Sequence, residues 1–194
     1  PTANCHPPWH NSAMPNFPAP IDSRLPWVGT TIFSVMSRLA AQHGAINLSQ
    51  GFPDFSAPQA LFDLVAKHMN AGANQYAPMT GALPLREAIA EKVAALYGLT
   101  FDVEQEITVT AGATQAIFTA VAALVRPGDE VIVFEPVYDS YVPSIELNGG
   151  RAVPCRLTFP GYRPDWEEVR ARITPRTRMI IINTPHNPSG AVWD

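Results

Sequence analysis

Lysine is almost absent from this chain: among 194 residues there are two, Lys67 and Lys92. Chemistry that needs a lysine amine would have to use one of them, and both fall in segments that read as amphipathic helices with the amine on the exposed side. Cysteine is equally sparse. Cys5 and Cys155 are too few for a disulfide framework. Charged side chains make up 15% of the chain and the net charge is −4, which gives no reason to expect a nucleic-acid partner. No apolar run approaches the roughly 18 residues needed to cross a bilayer. Residues 1–26 lack the basic start and apolar stretch of a secretory leader. Together these absences lead us to expect a protein of the reducing cytoplasm, with no membrane partner.

Apolar residues, at 46%, suffice for a core, and the length fits one large domain or a domain and a half. Residues 1–26 are dense in proline and show little periodicity, so they read as an extended or disordered tail, with Met14 a possible true start. Cys5, His6 and His10 lie in that tail; an unstructured segment is the better reading than a metal site, and no metal is expected.

From residue 27 the chain becomes periodic. Thr30 or Thr31 can cap a helix with Ile32, Val35, Met36 and Leu39 on one face, ended by Gly44. Ile46–Leu48 reads as a short strand. A second helix begins near Pro58 and ends before Gly72; a third follows Pro84 and ends at Gly98. Then comes a regular alternation: strand 107–109, helix 114–125 with Ile117, Val121 and Leu124 inward, turn 126–129, strand 131–134 buried on both faces, helix 138–147, a strand from Ala152, helix 165–172, and buried strand 179–182. Strands alternating with helices imply an α/β fold, a mostly parallel sheet flanked by helices.

Chemistry-bearing residues recur where such strands end, and in open α/β sheets ligands bind at the carboxyl ends of strands. Thr110-Ala-Gly-Ala-Thr-Gln115 lies between a strand and a helix; small residues and free helix-start N–H groups suit a phosphate over Ala113 and Thr114, with Gln115 as an extra donor. An ordinary turn capped by Thr114 would look similar. Glu135-Pro-Val-Tyr138 puts an aromatic after the next strand, where it can stack on a flat ring or simply pack the following helix. Asn183-Thr-Pro-His-Asn-Pro-Ser-Gly190 puts carboxamides after the third; Asn187 can donate to a phenolate-like oxygen, or the run can be a surface turn. Tyr76 sits in a Gly/Pro-rich loop before the third helix. Gly51, in Gln50-Gly-Phe-Pro-Asp54, can bring a backbone N–H close to a carboxylate. Jointly these describe a pocket for a flat, phosphorylated cofactor.

The ordered set SQGFPDF, NQYAPMTGALPLREAIA, TAGATQAI, PGDEVIVFEPVYDSY and NTPHNPSG resembles the class I/II (fold-type-I) pyridoxal-phosphate aminotransferases, nearest the methionine and kynurenine (glutamine/aromatic) branch, over roughly residues 24 to 194. The resemblance implies a role for each residue. Ala113, Thr114 and Gln115 match the phosphate turn, and Tyr138 the aromatic stacked on the pyridine ring. Asn187 matches the asparagine on the ring hydroxyl and the substrate carboxylate, and Asn183 a supporting polar position. Tyr76 matches a tyrosine reaching the phosphate of the other subunit of a homodimer, and Gly51 and Phe52 a substrate-binding segment. Pro84 and Ser189 depart from the commonest residues at their positions, and both fit locally.

The family's Schiff-base lysine, its pyridine-pairing aspartate and its carboxylate-binding arginine are expected beyond Asp194, so no catalytic residue is expected within this chain. Residues 27–194 then read as the N-terminal part of the large domain, with its remainder and a small domain absent. The expected activity of the full-length protein is transfer of an amino group from a methionine-, aromatic- or glutamine-like amino acid to a 2-oxo acid. The isolated chain is expected to be inactive and poorly stable, with open sheet edges. The alternatives are a pyridoxal-phosphate C–S β-lyase or related elimination, a non-catalytic sensor of the same fold, and a generic flavodoxin-like phosphate binder that leaves Tyr76 and Asn187 unexplained.

Overall fold

Strand β1, Glu130–Glu135, is the axis of the fold. Its sequence Glu-Val-Ile-Val-Phe-Glu is continuously apolar at its centre, and the four residues 131–134 are all buried, as a strand covered on both faces requires. In the computed structural model, which describes residues 22–51 and 53–193, β1 pairs in parallel with β2 (Arg151–Arg156) on one side and β3 (Thr177–Ile180) on the other, in the order β2-β1-β3. The register runs Ile132 to Val153 and to Ile180, with an irregularity between Glu130 and Val131 on the β3 side.

The alternation of a strand sends its side chains into two cores. Val131 and Val133 meet Val121 and Val125, contributed by helix α4 (Ala113–Leu124) and its C-terminal cap, and Tyr141 and Ile145 of helix α5 (Tyr141–Leu147). Ile132 and Phe134 meet Val153, Cys155 and Leu157, Val169 of helix α6 (Trp166–Arg172), and Trp193. Asp165 caps α6 by accepting from the N–H groups of Glu167 and Glu168. Helices on both faces of a parallel sheet give the expected α/β architecture.

Three helices precede this unit. Helix α1 (Ile32–His43) is capped by Thr31, whose hydroxyl accepts from Ser34 N, and closed by Gly44 at φ 59°, as expected. Helix α2 (Gln59–Asn70) starts just after Pro58. Helix α3 (Leu83–Tyr97) holds Pro84 in its first turn and ends at Gly98 with φ 66°.

Several expectations are corrected. Residues 46–48 and 107–109 form no strand; neither has a strand beside it, and a β conformation is held by its ladder partner. Val109 N–H instead donates to Thr80 O at 2.9 Å, and the Asn47 loop is stitched to α1 through Ser37. Helix 138–147 begins only at Tyr141. β3 alternates between half-buried and exposed, with Ile180 and Ile182 exposed, because β1 flanks it on one side alone among the described residues. The apolar faces of α1 and α2 bury no residue, and Leu124 points outward. The one buried residue of α3 is Arg86, which donates to the carbonyls of Gly81 and Val103 and pairs with Glu104. Cys5, His6, His10, Met14 and Phe52 lie outside the described residues.

The amino end of the sheet is closed by charge. Glu130, 1% exposed, accepts from Arg151 at 2.8 Å, from Arg176 at 2.7 Å and from the Thr174 hydroxyl at 2.7 Å. Arg151 first, then Thr174 and Arg176, hold its carboxyl down at about 2.

Candidate cofactor and substrate site

The opposite end of the sheet carries loops. The segment after β1, Pro136 to Ser140, and the segment after β3, Ile181 to Ala191, leave adjacent parallel strands in the same direction. A cavity of about 420 Å³ opens where they meet, lined by Tyr138, Asp139, Asn187 and Pro188, with Phe33 of α1 and Ser49, Gln50 and Gly51 closing the other side. The structure therefore brings together Tyr138, Asn187 and Gly51, three of the residues singled out from sequence.

Tyr138 is half-buried and fixed edge-on against Tyr141, with centroids 5.6 Å apart at 68°. It packs on the α4/α5 core and also lines the cavity. Burial, with a smaller push from Tyr138, raises the Tyr141 phenol above its usual range and keeps it neutral.

Asn187 is exposed, and its main chain is pinned: Asn187 N–H donates to Asn183 Oδ1 at 2.7 Å. Asn183 does not line the cavity; its carboxamide shapes the loop that presents Asn187. On the facing side Gln50 Oε1 accepts from the Ser37 hydroxyl at 2.9 Å, and that hydroxyl accepts from Asn47 Nδ2 at 3.0 Å, tying the Gly51 segment to α1.

Ala113, Thr114 and Gln115 form the exposed first turn of α4 and are not among the residues that line the cavity. α4 packs against α5 on the sheet face that Tyr138 also covers. The N-cap is Gly112 at φ 90°, a conformation that suits glycine, and no side chain caps the helix. Thr114 is therefore not the cap of an ordinary turn, and the helix start keeps free N–H groups and a positive dipole end for an anion. Gln115 Oε1 accepts from Ala111 N at 2.6 Å, which leaves its amide NH₂ as the free donor. Tyr76 is fully exposed and not in the cavity. Lys67 and Lys92 are exposed on α2 and α3, and neither lines it.

Sequence reasoning passed over His186, which is 4% exposed between the two loops. Its Nδ1 lies 2.7 Å from Ser189 Oγ, its ring stacks on Trp193, and it lies against the main chain of Pro136. Its place inside the Thr-Pro-His-Asn-Pro run was the available signal. Ser49, Gln50, Phe33 and Asp139 were also not assigned; all but Phe33 adjoin quoted motif residues.

The model of the family "Aminotransferase class I and II" matches residues 43–194. The chain belongs to the class I and II aminotransferases. It is 57% identical to the methionine aminotransferase of Escherichia coli (strain K12) over 180 residues, 93% of this chain and 47% of that protein. It is 46% identical to a probable N-succinyldiaminopimelate aminotransferase of Mycobacterium tuberculosis, covering 88% of this chain and 43% of the relative. The fold superposes on the crystal structure of an E. coli methionine aminotransferase with a TM-score of 0.88, covering 91% of this chain and 46% of that one. The chain thus spans about half the length of the curated relatives it matches, and its α/β fold is that of the fold-type-I aminotransferases.

No helix among the described residues is long and apolar enough to cross a membrane. No group of three metal-ligating side chains occurs among the described residues.

Proposed function

We propose that this chain provides the cofactor cradle and part of the substrate pocket of a pyridoxal-phosphate aminotransferase, homodimeric when full length, that moves an amino group from an amino acid to a 2-oxo acid. The observation that carries the reading is the convergence of Tyr138, Asn187 and Gly51 on one cavity at the carboxyl end of a parallel sheet. The donor set suits pyridoxal phosphate. Tyr138 offers a ring face, Asn187 a carboxamide that can bond a ring oxygen, and the uncapped start of α4 an anion site for the phosphate. When bound, the cofactor supplies an electron sink for the bond changes at the amino acid's Cα.

This chain's own residues bind and orient. Thr114 and Gln115 add a hydroxyl and an amide to the phosphate turn. Asn187, held by Asn183, fixes the ring and shares in the substrate carboxylate. Gly51 and Phe52, next to each other in sequence, are assigned to substrate binding. Tyr76, which is exposed and outside the cavity, is the residue assigned to the phosphate of a second copy of the chain. The lysine that moves the proton is supplied from outside these residues, since neither Lys67 nor Lys92 lines the cavity. Residues 27–194 are the N-terminal part of the large domain, and the compartment is the cytoplasm.

The test uses the full-length polypeptide with pyridoxal phosphate, methionine or an aromatic amino acid as donor, and a panel of 2-oxo acids. Amino-group transfer without release of ammonia or thiol supports the reading. Ammonia and thiol release without transfer would establish an elimination enzyme instead. No turnover and no cofactor binding would refute both.

A further inference from the structure

We propose that His186 is a positioning residue for this site: it clasps the loop after β1 to the loop after β3, so that Tyr138 and Asn187 face one cavity. The inference rests on the cofactor reading above and adds a residue that touches neither cofactor nor substrate.

Three contacts carry it. The ring lies against the main chain of Pro136, which has no N–H, so its carbonyl is the group there that can accept from the ring. Pro136 lies two residues before Tyr138. Nδ1 is hydrogen-bonded to the Ser189 hydroxyl at 2.7 Å, and the same Ser189 oxygen accepts from Ala191 N–H at 3.3 Å. Within its own loop, His186 N–H donates to Ala191 O at 2.8 Å and its carbonyl accepts from Gly190 N–H at 2.6 Å.

The ring is anchored from below. It stacks on Trp193 with centroids 5.2 Å apart at 21°. Trp193 is held edge-on against Phe134 of β1 at 5.1 Å, and its indole N–H donates to Tyr162 O at 2.8 Å. The clasp is thus built on the rigid sheet and reaches both loops.

A neutral imidazole can donate through one ring nitrogen and accept through the other. Burial favours that form and lowers the pKa, against a smaller opposing pull from the Pro136 carbonyl. His186 does not line the cavity. Its product is geometry: Asn187 is its immediate neighbour, already fixed from the other side by Asn183.

The test uses the full-length polypeptide loaded with pyridoxal phosphate. His186→Phe keeps a flat ring on Trp193 and loses the polar contacts of the ring nitrogens; Ser189→Ala removes one partner; Ser189→Thr retains the hydroxyl. Each variant is measured for melting temperature, cofactor dissociation constant, absorption of the bound cofactor, and KM and kcat for the amino donor.

We expect Ser189→Ala to weaken cofactor binding about two- to ten-fold, the size of one net hydrogen bond. His186→Phe should weaken it further, shift the bound cofactor's absorption, and raise KM more than it lowers kcat. Ser189→Thr should restore parental values. Folded variants with parental dissociation constant and spectrum overturn the proposal. So does a loss that tracks melting temperature alone and is not rescued by Ser189→Thr. If His186→Phe does not fold, the Ser189 pair decides. A parent protein that binds no pyridoxal phosphate removes the cofactor reading itself, and this inference with it.

Discussion

The two ends of β1 are finished differently. At the amino end, Glu130 is saturated: two arginines and a hydroxyl satisfy its carboxylate, and it is almost wholly covered. At the carboxyl end, neutral bonds within the described residues hold the loop after β3, Asn183 to Asn187 and His186 to Ser189, while Tyr138 and Asn187 line a cavity. A polar group with all its partners inside the protein contributes to stability. One whose neighbours are pinned while it remains unpaired is available to a ligand. The same strand supports both ends, so mutations can separate them.

The largest effect is expected from the strand itself. Ile132→Ala removes a fully buried side chain at the centre of the sheet and should cost about 2–5 kcal/mol in denaturant unfolding of the full-length protein. It strikes both ends together and gives the reference against which end-specific changes are read.

Asn187→Ala comes next. Removing a carboxamide that bonds a charged cofactor or substrate oxygen should weaken binding about ten- to a hundred-fold, while the melting temperature stays near parental because Asn187 is exposed. A melting temperature that falls as far as for Ile132→Ala would erase the distinction between the two ends.

The amino end is probed by acid. The Glu130 carboxyl is held at about 2, below its ordinary 4.5. A depressed carboxylate stabilises the fold fully above the unfolded value, and that stabilisation is lost as pH falls from 4.5 toward 2. Glu130→Gln should therefore lower stability at neutral pH and flatten its fall over that window, with pyridoxal phosphate affinity at neutral pH unchanged in the folded protein. Thermal melts at pH 6 and pH 3 give the comparison.

The smallest effect belongs to the lysines. Lys67→Gln and Lys92→Gln, both exposed and outside the cavity, should leave stability within about 0.5 kcal/mol and the bound cofactor's absorption unchanged. Loss of that absorption in either variant would place a chain lysine in the chemistry.

The same contrast explains what could be read from sequence. β1 was legible because Val131-Ile-Val-Phe134 is a fully apolar run, and α1 because Thr31 and Gly44 mark its ends. Tyr138, Asn187 and Gly51 were legible because they follow local signals at strand ends or in glycine-bearing loops. Residues 46–48 and 107–109 misled because apolar runs predict strand, whereas a strand also needs a neighbour to pair with. The outward faces of α1 and α2 misled for the same reason, since periodicity identifies an apolar face without identifying what covers it. His186 was missed because its partners, Pro136 and Trp193, are distant or unmarked in sequence and converge only in the fold. Arg86, buried against Gly81 and Val103 carbonyls, was hidden in the same way.

The central claim, that the loops after β1 and β3 and the start of α4 surround one phosphorylated ring, is tested most directly by a crystal structure of the full-length polypeptide grown with pyridoxal phosphate. The account predicts the ring between Tyr138 and Asn187 and the phosphate on the N–H groups of residues 113–115. A ring bound elsewhere, with Tyr138 and Asn187 free of it, would contradict it.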